Sequence, residues 1–192
     1  MRFALPALLF LGACASAHAS PGLGPWPLRT GARWIYRGTV NDGKPRDVTY
    51  TVEVSEAKGD TARVTGDLRD LIGGREPTAA MVVRKGTRYY RDGELVPAAT
   101  FDEVPPAERR ICPRPDDERM CWVVEATRAE ALSQVRGAPT DKRVAYDLVQ
   151  RDNTGVQTLT FVVGVGFTAY RYHHNGSPLD VDVKLVELVP GK

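Results

Sequence analysis

Val48-Thr49-Tyr50-Thr51-Val52-Glu53-Val54-Ser55 alternates apolar and polar residues without a break. Successive side chains on a strand point to opposite faces, so Val48, Tyr50, Val52 and Val54 share an apolar face and the residues between them a polar one. The pattern returns in Val144, Tyr146 and Leu148, and in Leu159, Phe161 and Val163. It returns again in Leu179, Val181, Val183 and Leu185, with Asp180, Asp182 and Lys184 on the opposite face. Shorter segments of strand character cover 34–40, 61–68, 79–84, 87–91 and 121–125. Turn-forming residues separate them: Asn41-Asp42-Gly43, Lys58-Gly59-Asp60, Lys85-Gly86, Asp92-Gly93 and Asn175-Gly176. About eight to ten strands joined mostly by short turns predict an antiparallel sheet.

A sheet with one apolar face must cover it with another layer or by closing on itself. One helix is expected as well. Thr127-x-x-Glu130 has the form of a capping box, Ala129, Leu132 and Val135 follow at i, i+3 spacing, and Gly137 stands where a helix would end. It is too short to persist without packing on the sheet. The fold class is therefore mainly β, a β-rich α+β chain: a strongly curved antiparallel sheet or partly closed barrel with one short helix. The segment 103–117, with Pro105, Pro106, Pro113 and Pro115, is the longest irregular stretch.

The start of the chain reads as an export signal. Met1-Arg2 precedes an apolar run from Phe3 to Ala13, too short to span a bilayer but suited to the apolar region of a signal peptide. Ala17-His18-Ala19 before Ser20 fits cleavage by signal peptidase, which makes 1–19 the leader. Leu11-Gly12-Ala13-Cys14 resembles a lipobox, which would instead cut before Cys14 and lipidate it. Both cuts remain open here. Residues 20–26 then form a Gly/Pro-rich flexible tether, and 27–192 a single β-rich domain. The expected location is the periplasm, or the outer membrane through a lipid on Cys14.

Removal of the leader leaves about 170 of the 192 residues, one domain by length, with a net charge of about +1. Near-neutrality argues against a nucleic-acid partner, and membrane contact is expected only through a lipid at Cys14. Two cysteines remain, Cys112 and Cys121. An even pair in an oxidising compartment predicts a disulfide. A zinc site would need further ligands close by, and a redox motif would need C-x-x-C spacing.

Chemistry-bearing motifs are scarce. Gly164-Val165-Gly166-Phe167-Thr168-Ala169 matches G-x-G-x-x-A, but the residues up to Tyr172 are aromatic and strand-like, whereas a dinucleotide fingerprint must open a helix. A glycine pair that kinks a strand is the expectation. His173 and His174, the two histidines beyond the leader, lie on opposite faces of a strand and cannot share a metal. Either could meet Asp180 or Asp182 across the Asn175-Gly176 turn. No metal, no cofactor and no catalytic residue is predicted. The aromatics Trp26, Trp34, Tyr36, Tyr89, Tyr90, Trp122, Phe161, Phe167, Tyr170 and Tyr172 are expected mainly in the core. Trp34, Tyr36, Tyr170 and Tyr172 are the candidates to line a groove inside the curved sheet.

Pro27-Leu28-Arg29-Thr30-Gly31-Ala32-Arg33-Trp34-Ile35-Tyr36 follows the pattern P-L-x-x-G-x-x-W-x-Y. Gly31 permits a tight turn, and Trp34 and Tyr36 share a strand face. With Gly164-Val165-Gly166 and the hairpin from Phe167 to Leu188, this resembles the two ends of a group of uncharacterised bacterial envelope proteins, many of them lipoproteins. Members carry a late P-G-V-G-x-V motif, and Val163 stands here in place of its proline. The resemblance covers about sixty residues. It implies a β-rich fold related to the unclosed barrels of lipoprotein carriers and supplies no catalytic residues. The functional expectation is a non-catalytic envelope protein binding a partner protein or an apolar ligand through a curved sheet. The alternatives are an assembly component without a pocket and, third, an unrecognised hydrolase.

Overall fold

The computed structural model describes residues 24–98, 110–114 and 116–192. The leader, Cys14 and the tether up to residue 23 lie outside them. Twelve strands follow in order: β1 (Arg33–Asp42), β2 (Pro45–Lys58), β3 (Thr61–Thr65), β4 (Ala79–Lys85), β5 (Arg88–Arg91), β6 (Glu94–Val96), β7 (Arg110–Ile111), β8 (Trp122–Glu130), β9 (Arg143–Arg151), β10 (Gly155–Val162), β11 (Gly166–His174) and β12 (Leu179–Val189).

All twelve belong to one antiparallel sheet in the order β6-β5-β4-β3-β2-β1-β12-β11-β10-β9-β8-β7. Two six-stranded meanders thus join where the first strand meets the last. Gly38 pairs with Val183 and Val40 with Val181 across that join, and a bulge at Ile35/Tyr36 adjusts the register. The sheet curls into a nearly closed barrel, and among the described residues its edge strands, β6 and β7, do not pair with one another. This is the partly closed barrel that the alternation predicts.

Register explains the core. Trp34 lies opposite Val52 and Tyr36 opposite Tyr50, so four large side chains enter the barrel together. Tyr146 opposite Phe161 and Leu148 opposite Leu159 do the same in the other half. These residues are buried and belong to one apolar cluster, each contributing roughly 1.5–3 kcal/mol relative to exposure. Two buried phenols find acceptors, whereas the buried Thr168 hydroxyl has none among the described residues. Tyr36 Oη donates to the Phe167 carbonyl at 2.8 Å, and Tyr170 Oη to Gln157 Oε1 at 3.0 Å.

Three expectations need correction. The helix between Thr127 and Gly137 does not form: Thr127 to Glu130 extend β8, pairing with β9 from Tyr146 to Arg143. The ladder, reinforced by contacts of Arg128 with Asp147 and Glu130, outweighs a capping box on so short a segment. The i, i+3 spacing survives as consecutive turns, Val135 N to Leu132 O and Ala138 N to Val135 O, which bury Leu132 and Val135. Among the described residues the one short α-helix lies elsewhere, at α1 (Asp70–Gly73), so the strand expected over 61–68 ends at Thr65. Finally, the tether expected over 20–26 reaches too far: Trp26, also expected among the core aromatics, is only 5% exposed and packs in the core.

Gly164 and Gly166 have φ of +77° and +105° and shape the β10–β11 turn, not a helix N-terminus. Gly166 has a second role. A Cβ there would meet Trp26 Cδ1 at 2.9 Å and Trp34 Nε1 at 3.1 Å, so its bareness lets two indoles converge on the turn.

Cys112 and Cys121 are joined as expected, tying the chain after β7 to the start of β8 across the 3-10 turn Glu118–Met120. Reduction should raise the intact mass by two hydrogens and lower stability by roughly 2.5–3 kcal/mol, read as a fall in the urea midpoint. An unchanged midpoint would show that the bridge adds nothing to this edge of the sheet.

Candidate functional site

Behind the unpaired edges lies a cavity of about 60 Å³. Its walls come from both meanders: Trp34 and Tyr36 on β1, Leu95 and Val96 on β6, Trp122 on β8, Leu159 on β10 and Phe167 on β11. Trp26 reaches it from the segment before β1, with ring centres 6.4 Å from Trp34 and 5.4 Å from Phe167, both edge-to-face. The chain contains three tryptophans, and all three line this space.

The N-terminal segment is held as firmly as a strand. Trp26 N donates to Tyr89 Oη at 3.2 Å, and Gly164 N donates to the Pro25 carbonyl at 2.8 Å. Trp34 Nε1 donates to the Val165 carbonyl at 2.6 Å, binding β1 to the β10–β11 turn. The residues 24–32 therefore cross one end of the barrel and plug it.

The mouth of the cavity is charged. Asp67 follows β3 and is gripped by Arg69, with Nη2 to Oδ2 at 2.7 Å and Nε to Oδ1 at 3.1 Å. Arg91 of β5 stands 3.8 Å from the same carboxylate and donates to the Gly66 carbonyl at 2.8 Å. Burial alone would raise the Asp67 carboxyl, but hydrogen bonds and charge from Arg69, with the charge of Arg91, hold it below the usual carboxylate range. Arg114, beyond β7, reaches Glu94 on β6 at 2.8 Å and so bridges the two edges. That pair is exposed and adds little rigidity. Among the described residues no hydrogen-bonded ladder spans the seam.

Of the four aromatics expected in a groove, Trp34 and Tyr36 line the cavity, whereas Tyr170 and Tyr172 are buried in the wall without reaching it. The charged mouth was not foreseen. Asp67, Arg69 and Arg91 come from two separate segments, and nothing in their spacing marks them. Trp26 carried a signal, an aromatic between Pro25 and Pro27 inside a stretch otherwise poor in bulky residues.

The histidines take opposite faces. His173 Nδ1 lies 2.5 Å from Asp180 Oδ1 on the exposed side, while His174 packs edge-on to Tyr172 with its Nδ1 buried. Among the described residues no three His, Cys, Asp or Glu side chains converge as a metal site. No described helix is long and apolar enough to cross a membrane.

No protein family matches the chain, and no curated protein sequence does. Among solved structures, the chain is similar to one from Bacteroides fragilis NCTC 9343 described as a "putative exported protein with YmcC-like fold". The two share 11% identity, with a TM-score of 0.48, over 87% of this chain and 99% of that one.

Proposed function

We propose that this protein is a non-catalytic component of the bacterial envelope that binds the apolar end of a ligand in the seam of its barrel. The observation that carries the reading is the seam: two strand edges left unpaired over a tryptophan-lined cavity with a charged mouth. Ligand sites combine apolar walls with a few placed polar groups in this way. Asp67, Arg69 and Arg91 would orient a polar head while the indoles receive the tail. Export is supported by the leader and by the Cys112–Cys121 bridge, which suits an oxidising compartment. A lipid on Cys14 would make the protein membrane-bound, and cleavage after Ala19 would leave it free in the periplasm.

Size limits the ligand. A volume near 60 Å³ takes a few waters or one small apolar group, well below the ~300–1,000 Å³ of a drug-sized site. A longer chain would enter only as β6 and β7 part. The same tight packing favours a second reading, an assembly component whose core is simply full. Tryptophan emission separates the two, because every indole in the chain faces the cavity. Titration with monomeric palmitate should give a saturable change in emission, absent in Val96→Phe, which drives a ring into the space. A flat response in the unmodified protein would favour the filled-core reading.

A further inference from the structure

The near-zero net charge conceals two poles. Strand directions place Lys58, Lys85, Arg88, Lys142, Arg29 and Lys192 at one end of the barrel, in the β2–β3, β4–β5 and β8–β9 connections and the two chain segments flanking β1 and β12. None of the six makes an ion pair among the described residues, and five are exposed, Arg29 being half-buried. Arg84 and Arg143, also at this end, are paired with Asp60 and Asp141. At the other end acids predominate: Asp42, Asp47, Asp70, Glu76, Asp152 and Asp180 accompany Lys44, Arg46 and Arg75. A ten-residue strand such as β1 separates the poles by roughly 30 Å, about four Debye lengths in physiological salt. Each pole therefore acts on a partner without cancellation by the other.

The chain enters the described structure at the basic pole. Gly24 borders the same surface cleft as Arg29, Lys58, Arg84 and Lys192, and Pro25 is fastened there by Gly164. Ten residue-to-residue steps separate Cys14 from Gly24, at most about 35 Å of extended chain. An anchor at Cys14 would thus hold this pole, and not the acidic one, against the bilayer.

We infer that the basic pole is a docking surface for anionic phospholipid headgroups, on which the barrel stands with its N-terminal plug toward the membrane. Lysine and arginine near such a surface each strengthen binding severalfold, and six together suffice for reversible attachment. A tether there raises the local concentration further and turns weak attraction into fixed orientation. Docking of this kind is independent of any ligand in the seam.

The test uses the full chain with Cys14→Ser, expressed with its own leader and purified as processed, so that no acyl chain contributes. It should sediment with vesicles of phosphatidylethanolamine and phosphatidylglycerol at low salt, stay in solution with phosphatidylethanolamine alone, and be released by about 0.5 M salt. Lys58→Gln, Lys85→Gln and Arg88→Gln together should weaken binding at least about tenfold. Lys44→Gln, Arg46→Gln and Arg75→Gln, at the opposite pole, should leave it within about twofold. Equal sedimentation with both vesicles, or equal loss in both triple variants, would overturn the inference. So would capture of dextran sulfate without vesicle binding, which would assign the pole to an acidic polysaccharide.

Discussion

Trp26→Ala should cost about 3–5 kcal/mol of stability, the range for truncating a large buried aromatic side chain. The indole is packed edge-to-face against Trp34, Tyr89 and Phe167, with ring centres 5.4–6.4 Å away. Its removal leaves a void continuous with the seam cavity and strips Gly166 of one reason for being glycine. A domain of this size is stabilised by only about 5–15 kcal/mol, so the variant should melt well below the parent. The measurement is the urea midpoint followed by circular dichroism, with an unchanged slope. A loss under about 1 kcal/mol would mean that the chain before β1 is a tether after all.

Alkaline pH should unfold the protein through its buried tyrosines. Burial pushes the Tyr36, Tyr50 and Tyr170 hydroxyls well above the ordinary value near 10. For Tyr36 and Tyr170, burial is followed by the charge of Asp67, and for Tyr50 by its hydrogen bond to Asp70. Below about pH 10 neither folded nor unfolded chain releases these protons, and stability is unaffected. Above it the unfolded chain ionises and the folded one does not, so each group costs about 1.4 kcal/mol per pH unit. Tyr36 and Tyr170 together amount to roughly 3 kcal/mol at about pH 11, and Tyr50, whose hydroxyl lies nearer solvent, adds a smaller share, enough to shift a urea midpoint sharply. An ultraviolet titration in which all seven tyrosines of the native protein ionise together near pH 10 would contradict this.

Local pattern made much of the fold legible. The alternations around Tyr50, Tyr146, Phe161 and Val183 became β2, β9, β10 and β12 because a half-buried strand imposes period two on its own residues. Gly43, Gly59, Gly86, Gly93 and Gly176 mark hairpin turns for a reason equally local, their positive φ. What failed depended on distant partners. Thr127-x-x-Glu130 carries a helix signal that the β9 ladder overrides, since a strand edge offered elsewhere in the chain is invisible to a local motif. The tether expected over 20–26 overruns Trp26 because the ring of aromatics that this residue joins comes from β1, β5 and β11. The β1–β12 pairing that joins the two meanders brings together residues at opposite ends of the sequence.

The candidate site was half legible for the same reason. Trp34 and Tyr36 face the cavity because their strand parity and the strand's position agree. Tyr170 and Tyr172 have the correct parity but lie where the wall is fully packed. The cluster of Asp67, Arg69 and Arg91 depends on Gly66 turning the chain out of β3, with φ of +90°, to deliver Asp67 beneath β5. Charge followed a similar rule. A net value near zero argued against polyanion binding, yet the topology sorts that charge into a basic pole and an acidic one.

Native mass spectrometry of protein purified from its own envelope tests the seam as a binding site most directly. The predicted result is an added mass that survives gentle ionisation, leaves on denaturation as an apolar molecule or a partner chain, and is missing from Val96→Phe purified in the same way. Recovery of the unmodified protein as a bare monomer under the same conditions would contradict it.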